Sequence, residues 1–529
     1  MTHRTVASQA KNQDRLVQQL DQIEAELNAL IEHRMVAVWN RCMGIGTESP
    51  DAIKPAISNL LLNPFCKEVL SLQMQDPIDA VLAQRIRVLR REILKAQVET
   101  PPDVTDLRLR ATAQLNSLHP QVAGKKVSRL TLANILRYET DRALRRKAWL
   151  ALRPLHKRLA GTVALLMQRR NRHAQAVGFD DAMDWTLAIQ DLAYGNTLDL
   201  LDELDRLSVA PYQDVLDRCC TALSVGDLRP WDISYALELA FPVRDLPWGG
   251  SQLVAYCQRL STSLGFPGDG GIQVSFKSLP FPGMCFPIAP PHDVRLLLAH
   301  SAGWSAYAGM LHEWGHALHT RHVGQPNYVV ARGDPGCLAE GLAQLFFLLG
   351  IKNEWLCEID GLSAADAQAV VAHQRARRLV RLRRLLANAC FERAAYVAVG
   401  PARRSEDTLP LPPHDTLVEL SHLWRKVQEH FTLLDHADDP GWAAQSAFAL
   451  YPGYWVIHVF ASRPNVIPIN PQLPTPVRPA QIRKLAVQLS RCQALEHIHH
   501  LRWHISWRTA DEQVDMIHLP SVRLFLSKK

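Results

Sequence analysis

The chain has 529 residues, 47% of them apolar and 21% charged, and its 59 basic against 52 acidic side chains give a net charge of +7. That length is enough for two or three domains or one large helical body, and the composition is that of a folded globular chain rather than a disordered one. The basic excess is small for the size, so charge alone gives no support to a nucleic-acid partner, which usually meets a concentrated basic face.

Ten cysteines are spread along the chain with no CxxC pair, and a reducing compartment fits them best. The N-terminus, MTHRTVASQAKNQDRL, has no apolar core of the kind a secretion signal needs. The greasiest run, LAQLFFLLGI at 342–351, falls well short of the roughly 20 residues that span a bilayer. The expectation is a soluble, cytoplasmic protein without a membrane partner.

Residues 8–40 place Leu16, Leu20, Ile23, Leu27 and Leu30 at spacings of three and four, which predicts a helix with one apolar face. Similar patterns recur at 80–98, 128–175 and 197–224. The first 190 residues therefore read as an all-helical N-terminal domain, followed by a second domain over 191–529. Between 265 and 300, turn residues alternate with short apolar runs and predict a few strands. The last of these, VRLLLAHS at 294–301, reads as an apolar strand, with a buried strand or helix turn as the competing reading.

The stretch HEWGHALH at 312–319 follows on a predicted helix. Residues four apart lie one turn apart on the same face, so His312 and His316 can grip one tetrahedral zinc ion. Glu313 then stands beside the metal, placed to take a proton from a bound water. The competing reading is a core helix whose histidines are satisfied by ordinary hydrogen bonds. Two candidates compete for the third ligand. His322 follows His316 by six residues, as in the metzincin pattern, but His319 stands where that pattern turns at a glycine. Glu340, in GCLAEGLAQLF, begins a fresh helical run and would complete a His, His, Glu set; Gly336 and Gly341 flank it and would permit close approach.

Further on, RARRLVRLRRLL at 375–386 interleaves arginines with Leu379, Val380, Leu382 and Leu385, predicting a cationic face over a buried stripe. A proline-rich connector at 463–479 leads to EHIHHLRWH, where His497, His500 and His504 share a helix face at metal-compatible spacing, or simply belong to a surface helix.

HEWGHALH, QPNYV at 325–329 and LAEGLAQ at 338–344 together resemble the thimet oligopeptidase and oligoendopeptidase F family of zinc peptidases, over the last 260 residues or so. The resemblance implies a mainly α fold: a large helical ellipsoid with a small strand region beside the HExxH helix and a deep substrate channel. It also implies one zinc ion per chain on His312, His316 and Glu340, with Glu313 as general base, cleavage of short unstructured peptides, and a substrate backbone laid along 294–301 as an edge strand. A later family segment, with a histidine and tyrosines that steady the oxyanion, corresponds to GWAAQSAFALYPGYWVIHVFA at 441–461. Tyr454 matches the first tyrosine, whereas Ala447 stands where a histidine is expected and His458 where a second tyrosine is usual. Tyr454 and His458 are four apart and can donate hydrogen bonds from one helix face; Tyr451 is a weaker candidate. The expected function is a zinc-dependent metallopeptidase acting on peptides. The alternatives are a catalytically silent peptide-binding relative, a metzincin-type hydrolase using His322, and a basic nucleic-acid-binding protein with an accidental motif.

Overall fold

The computed structural model describes residues 3–71, 80–192, 194–244, 249–266, 271–279, 281–300, 303–322, 336–360, 362–400 and 414–462. QPNYV, the proline-rich connector and the EHIHHLRWH histidines lie outside these residues. In chain order the elements are α1 (His3–Met43), α2 (Lys54–Leu61), α3 (Pro64–Ser71), α4 (Ala80–Glu99) and α5 (Pro102–Ser117). A small hairpin, β1 (Gln121–Val122) and β2 (Lys125–Lys126), precedes α6 (Arg129–Tyr138), α7 (Arg142–Leu150), α8 (Arg153–Ala176), α9 (Ala182–Ile189), α10 (Tyr194–Leu223), α11 (Ile233–Ala240) and α12 (Gly250–Ser263). Then come β3 (Ile272–Lys277), β4 (Gly283–Ala289), β5 (Asp293–Ala299), α13 (Gly303–Arg321), α14 (Gly336–Gly350), α15 (Asn353–Asp360), α16 (Ala364–Val399), α17 (His414–Thr432), α18 (Ala447–Leu450) and α19 (Tyr454–Ser462). The fold is mainly α, as expected.

The apolar period over 128–175 resolves into three helices because local chemistry restarts it twice. Ser128 Oγ caps α6 by accepting from the Thr131 amide, Asp141 caps α7 through the Ala143 amide, and Pro154 occupies the first turn of α8.

The described residues form two compact units that alternate along the sequence, the first within Met1–Pro101 and Pro247–Pro335, the second within Pro102–Leu246 and from Gly336 onwards. In the first unit, Leu20, Ile23 and Leu27 of α1 pack with Leu60 and Leu61 of α2 and Ile86, Leu89 and Ile93 of α4. The far end of α1 lies on the sheet, where Trp39 meets Phe286 edge-on at 5.2 Å between ring centroids.

The sheet order is β3-β5-β4, with β3 parallel and β4 antiparallel to β5. The apolar run on 294–301 is therefore the central strand, not the expected edge. Val294, Leu296, Leu297 and Leu298 are all buried, and consecutive buried apolar residues such as 296–298 are what a strand covered on both faces requires. The edge beside α13 belongs to β4.

In the second unit the 36-residue α16 is the spine, packed by α8, α10, α17 and α19. Tyr212, Val215 and Leu216 of α10 join Ile233 and Leu237 of α11 and Ala376 and Val380 of α16 in its core. Charges are buried here in pairs: Asp232 accepts from Arg145 Nη2 at 2.9 Å and from Arg142, and Asp205 pairs with Arg383. The nine described cysteines are all free. No described helix is long and apolar enough to cross a membrane.

Candidate metal centre

Helix α13 has two faces. Tyr307, Met310, Leu311, Trp314, Ala317 and Leu318 recur at three- and four-residue spacing and are all buried. Trp314 Nε1 donates to Ser261 Oγ of α12 at 2.9 Å, and Tyr307 packs on Tyr256 at 5.0 Å, so the stripe is pinned to its neighbour by one hydrogen bond and one ring contact. The opposite face carries His312 and His316, both half-buried, their rings edge-to-face with centroids 4.8 Å apart. Their shared orientation follows from the helical repeat once the apolar stripe is fixed.

Glu313 leans towards β4. A Cβ at Gly283 would lie 3.0 Å from Glu313 Cγ and 2.5 Å from Leu298 Cδ2, so this strand position admits no side chain without displacing one of them. Cys285, two residues on and so on the same strand face, has its thiol pushed up by burial, with the Glu313 charge adding to the effect. The carboxylate that a base must supply is thus held over the edge strand, at a bare position of its backbone.

In the second unit, Glu340 sits half-buried in the second turn of α14. The start of that helix is anchored at Gly336, whose N–H donates to Gln190 Oε1 at 2.7 Å and where a Cβ would lie 3.2 Å from that oxygen and 3.6 Å from Ile457. Gly341, by contrast, has nothing within 4 Å of a Cβ position, so close approach is built on one of the two expected glycines.

His458 is buried, and its Nδ1 stands 3.6 Å from Glu340 Oε2. It therefore faces a carboxylate, the relation by which a neighbouring side chain orients a metal ligand. Tyr454 lies one turn before it on α19, rings edge-to-face with centroids 4.2 Å apart. Burial pushes the Tyr454 phenol up, Arg381 opposes the shift, and Glu340 and Tyr451 add to it.

The turn into α19 depends on Gly453, which has φ +73° and where a Cβ would overlap Thr186 Cγ2. Its N–H donates to Glu392 Oε1 at 3.0 Å, and burial pushes that carboxyl up to about 8 against the opposing effects of the Gly453 N–H and Arg170. Tyr451 is 62% exposed, whereas Ala447 is buried in the short α18.

His312 and His316 of the first unit and Glu340 of the second, each half-buried in its own helix, are the His, His, Glu set that the resemblance implies. His322 is not in it. That side chain follows the last turn of α13 and packs its ring on Phe266, with centroids 5.1 Å apart. Two imidazoles and one carboxylate match the protein donors of a catalytic zinc site that keeps a fourth position open. What sequence reasoning missed is the partner of Glu340: the four-residue spacing of Tyr454 and His458 showed a shared face, and nothing in the sequence showed what that face meets. Glu392, buried in the arginine-rich helix, gave no signal at all.

No protein-family model and no curated protein matches the sequence. Solved structures do. A structure named for oligoendopeptidase F aligns over 77% of this chain and 73% of its own at 17% identity, with a TM-score of 0.59. PZ peptidase A with an inhibitor aligns over 77% and 74% at 15% identity, with a TM-score of 0.56. A peptidase structure from Chlamydophila abortus aligns over 84% and 78% at 15% identity, with a TM-score of 0.54. The chain has the fold of these oligoendopeptidase and peptidase structures.

Proposed function

We propose that the protein is a zinc-dependent oligopeptidase of the oligoendopeptidase F type, hydrolysing amide bonds in short, extended peptides. The observation that carries this reading is the pair of imidazoles on one face of α13, ring centroids 4.8 Å apart, with Glu313 next to the first of them on the same helix. The fold shared with solved peptidases supports it.

His312, His316 and Glu340 would hold the metal, and His458 would orient the Glu340 carboxylate. A zinc ion supplies Lewis acidity: it lowers the pKa of a water in its open position towards about 7 and polarises a scissile carbonyl. Glu313 takes the proton of the attacking water and returns it to the leaving amine nitrogen. Tyr454 donates its phenolic O–H to the oxyanion as charge develops there. The outer edge of β4, which pairs with no other strand among the described residues, receives an extended substrate backbone in place of a neighbouring strand, in the role first expected of 294–301.

The test is incubation of the purified protein with a mixed peptide library, reading new termini by mass spectrometry beside Glu313→Gln. Loss of a general base slows hydrolysis by about 10²- to 10⁴-fold, and the variant is expected to fall by that factor. Equal cleavage by both proteins sinks Glu313 as base. Ala447, buried where the resembled family has a histidine, favours one second reading, a silent relative that binds peptides without cutting them; absence of cleavage by the wild type would select it.

A further inference from the structure

Helix α16 carries a stripe of charge that the proposed hydrolysis does not use. Arg377, Arg381 and Arg384 are spaced by four and three residues and share one face, with Arg378 beside them. Arg381 and Arg384 are exposed, and among the described residues neither forms an ion pair. The Glu238 carboxylate stands 4.0 Å from Arg377 Nη1 and also 4.0 Å from His373 Nε2. Glu238 already accepts from Arg137 Nε at 2.6 Å, so one anion faces several cations and cannot neutralise them.

Arg383, one residue from Arg384, shows how this helix treats an arginine it uses structurally: it is buried and paired with Asp205. Among the described residues Arg381 and Arg384 have no such match. The half-buried neighbour Arg377 is lowered by burial. Two exposed guanidiniums on one helix face beside further cations repel one another, and the repulsion is relieved when an anion enters. The helix gives the cluster a direction, because α16 packs on α19, which carries Tyr454 and His458.

We propose that Arg381 and Arg384 bind a substrate carboxylate, making the protein selective for peptides that present an anionic group to this face of α16. This deepens the oligopeptidase reading and rests on it for the identity of the ligand. Guanidinium suits the role because its fork of donors matches a carboxylate with two parallel hydrogen bonds. The carboxylate can come from the peptide C-terminus or from an Asp or Glu side chain, and the two sources are separable.

The test reads binding, so it does not depend on cleavage. Fluorescein-labelled peptides of one sequence, in four forms combining a free or amidated C-terminus with an internal Glu or Gln, are titrated into full-length Glu313→Gln and read by anisotropy. At about 0.1 M salt, where the Debye length is about 10 Å, at least one anionic form is expected to bind about tenfold tighter than the amidated Gln form, a difference of about 1.4 kcal/mol. A dependence on the terminus assigns the carboxylate to the C-terminus; a dependence on Glu assigns it to the side chain. In Glu313→Gln combined with Arg381→Gln and Arg384→Gln the ratio should fall below about twofold, and Arg381→Lys alone should keep part of it, because a point charge replaces a fork.

Equal binding of all four forms overturns the proposal, as does an unchanged ratio in the arginine variant. Tighter binding of a thymidine oligonucleotide than of every peptide, lost in the same variant, also overturns it and assigns the stripe to nucleic acid. Binding that follows the predicted ratios in a protein whose wild type cuts nothing would leave the stripe intact and refute the hydrolase alone.

Discussion

Helices α13 and α16 both carry dense runs of cationic or ionisable side chains, and they deal with them in opposite ways. On α13 every fully buried side chain lies on one apolar stripe, and His312, Glu313 and His316 lie off it, half-buried. On α16 the burial continues around the helix and takes charged groups with it, Arg383 against Asp205 and Glu392 against the Gly453 amide. Amphipathic periodicity separates functional from structural residues only where a helix has a solvent side. A spine packed by four others has none over much of its length, so its arginines must be sorted by their partners.

The largest effect expected from this contrast is on stability. Arg383 donates to the Phe431 carbonyl and is buried against Asp205, so Arg383→Ala strands a carboxylate and should cost about 3–5 kcal/mol, read as a lowered midpoint in chemical unfolding. Arg381→Gln and Arg384→Gln, on the same helix, should leave that midpoint within about 0.5 kcal/mol. Equal losses at all three positions would erase the distinction between structural and ligand-binding arginines.

The next effect separates geometry from folding on the α13 side. Gly283→Ala drives a methyl group against Glu313 and Leu298. A displacement of about 1 Å at a reacting group costs up to about 100-fold, so kcat should fall by about that factor with zinc content unchanged. Unaltered turnover would mean that β4 does not set the position of Glu313.

A smaller effect is expected at His458. Removing the partner of a metal ligand typically costs about 10- to 100-fold in metal affinity or activity, so His458→Ala should weaken zinc retention against a chelator by that factor. If retention stays at the wild-type level while turnover falls, His458 acts on the reaction and not through Glu340, which would bring back the oxyanion role expected from its spacing with Tyr454.

Much of this was legible in the sequence because it is local. The helices over 80–98 and 197–224 were bounded by their own apolar period, and the HEWGH spacing placed two imidazoles on one face without knowledge of the rest of the fold. What could not be read is set by long-range pairing. The apolar run at 294–301 announced burial but not strand order, and β5 is central because β3 and β4 come to both its sides. The split of 128–175 into three helices was written in Ser128, Asp141 and Pro154, short-range signals that the dominant apolar period obscured. The approach of His458 to Glu340 joins two helices far apart in sequence, each with an unremarkable pattern.

The most direct measurement is zinc per chain in the purified wild type, in Glu313→Gln and in Glu340→Ala, by elemental analysis after dialysis. One zinc ion per chain is expected in the wild type and in Glu313→Gln, with loss from Glu340→Ala while the helical circular dichroism is unchanged. A wild type without stoichiometric zinc, or a Glu340→Ala protein that retains it as firmly as the wild type, would contradict the His312, His316 and Glu340 centre.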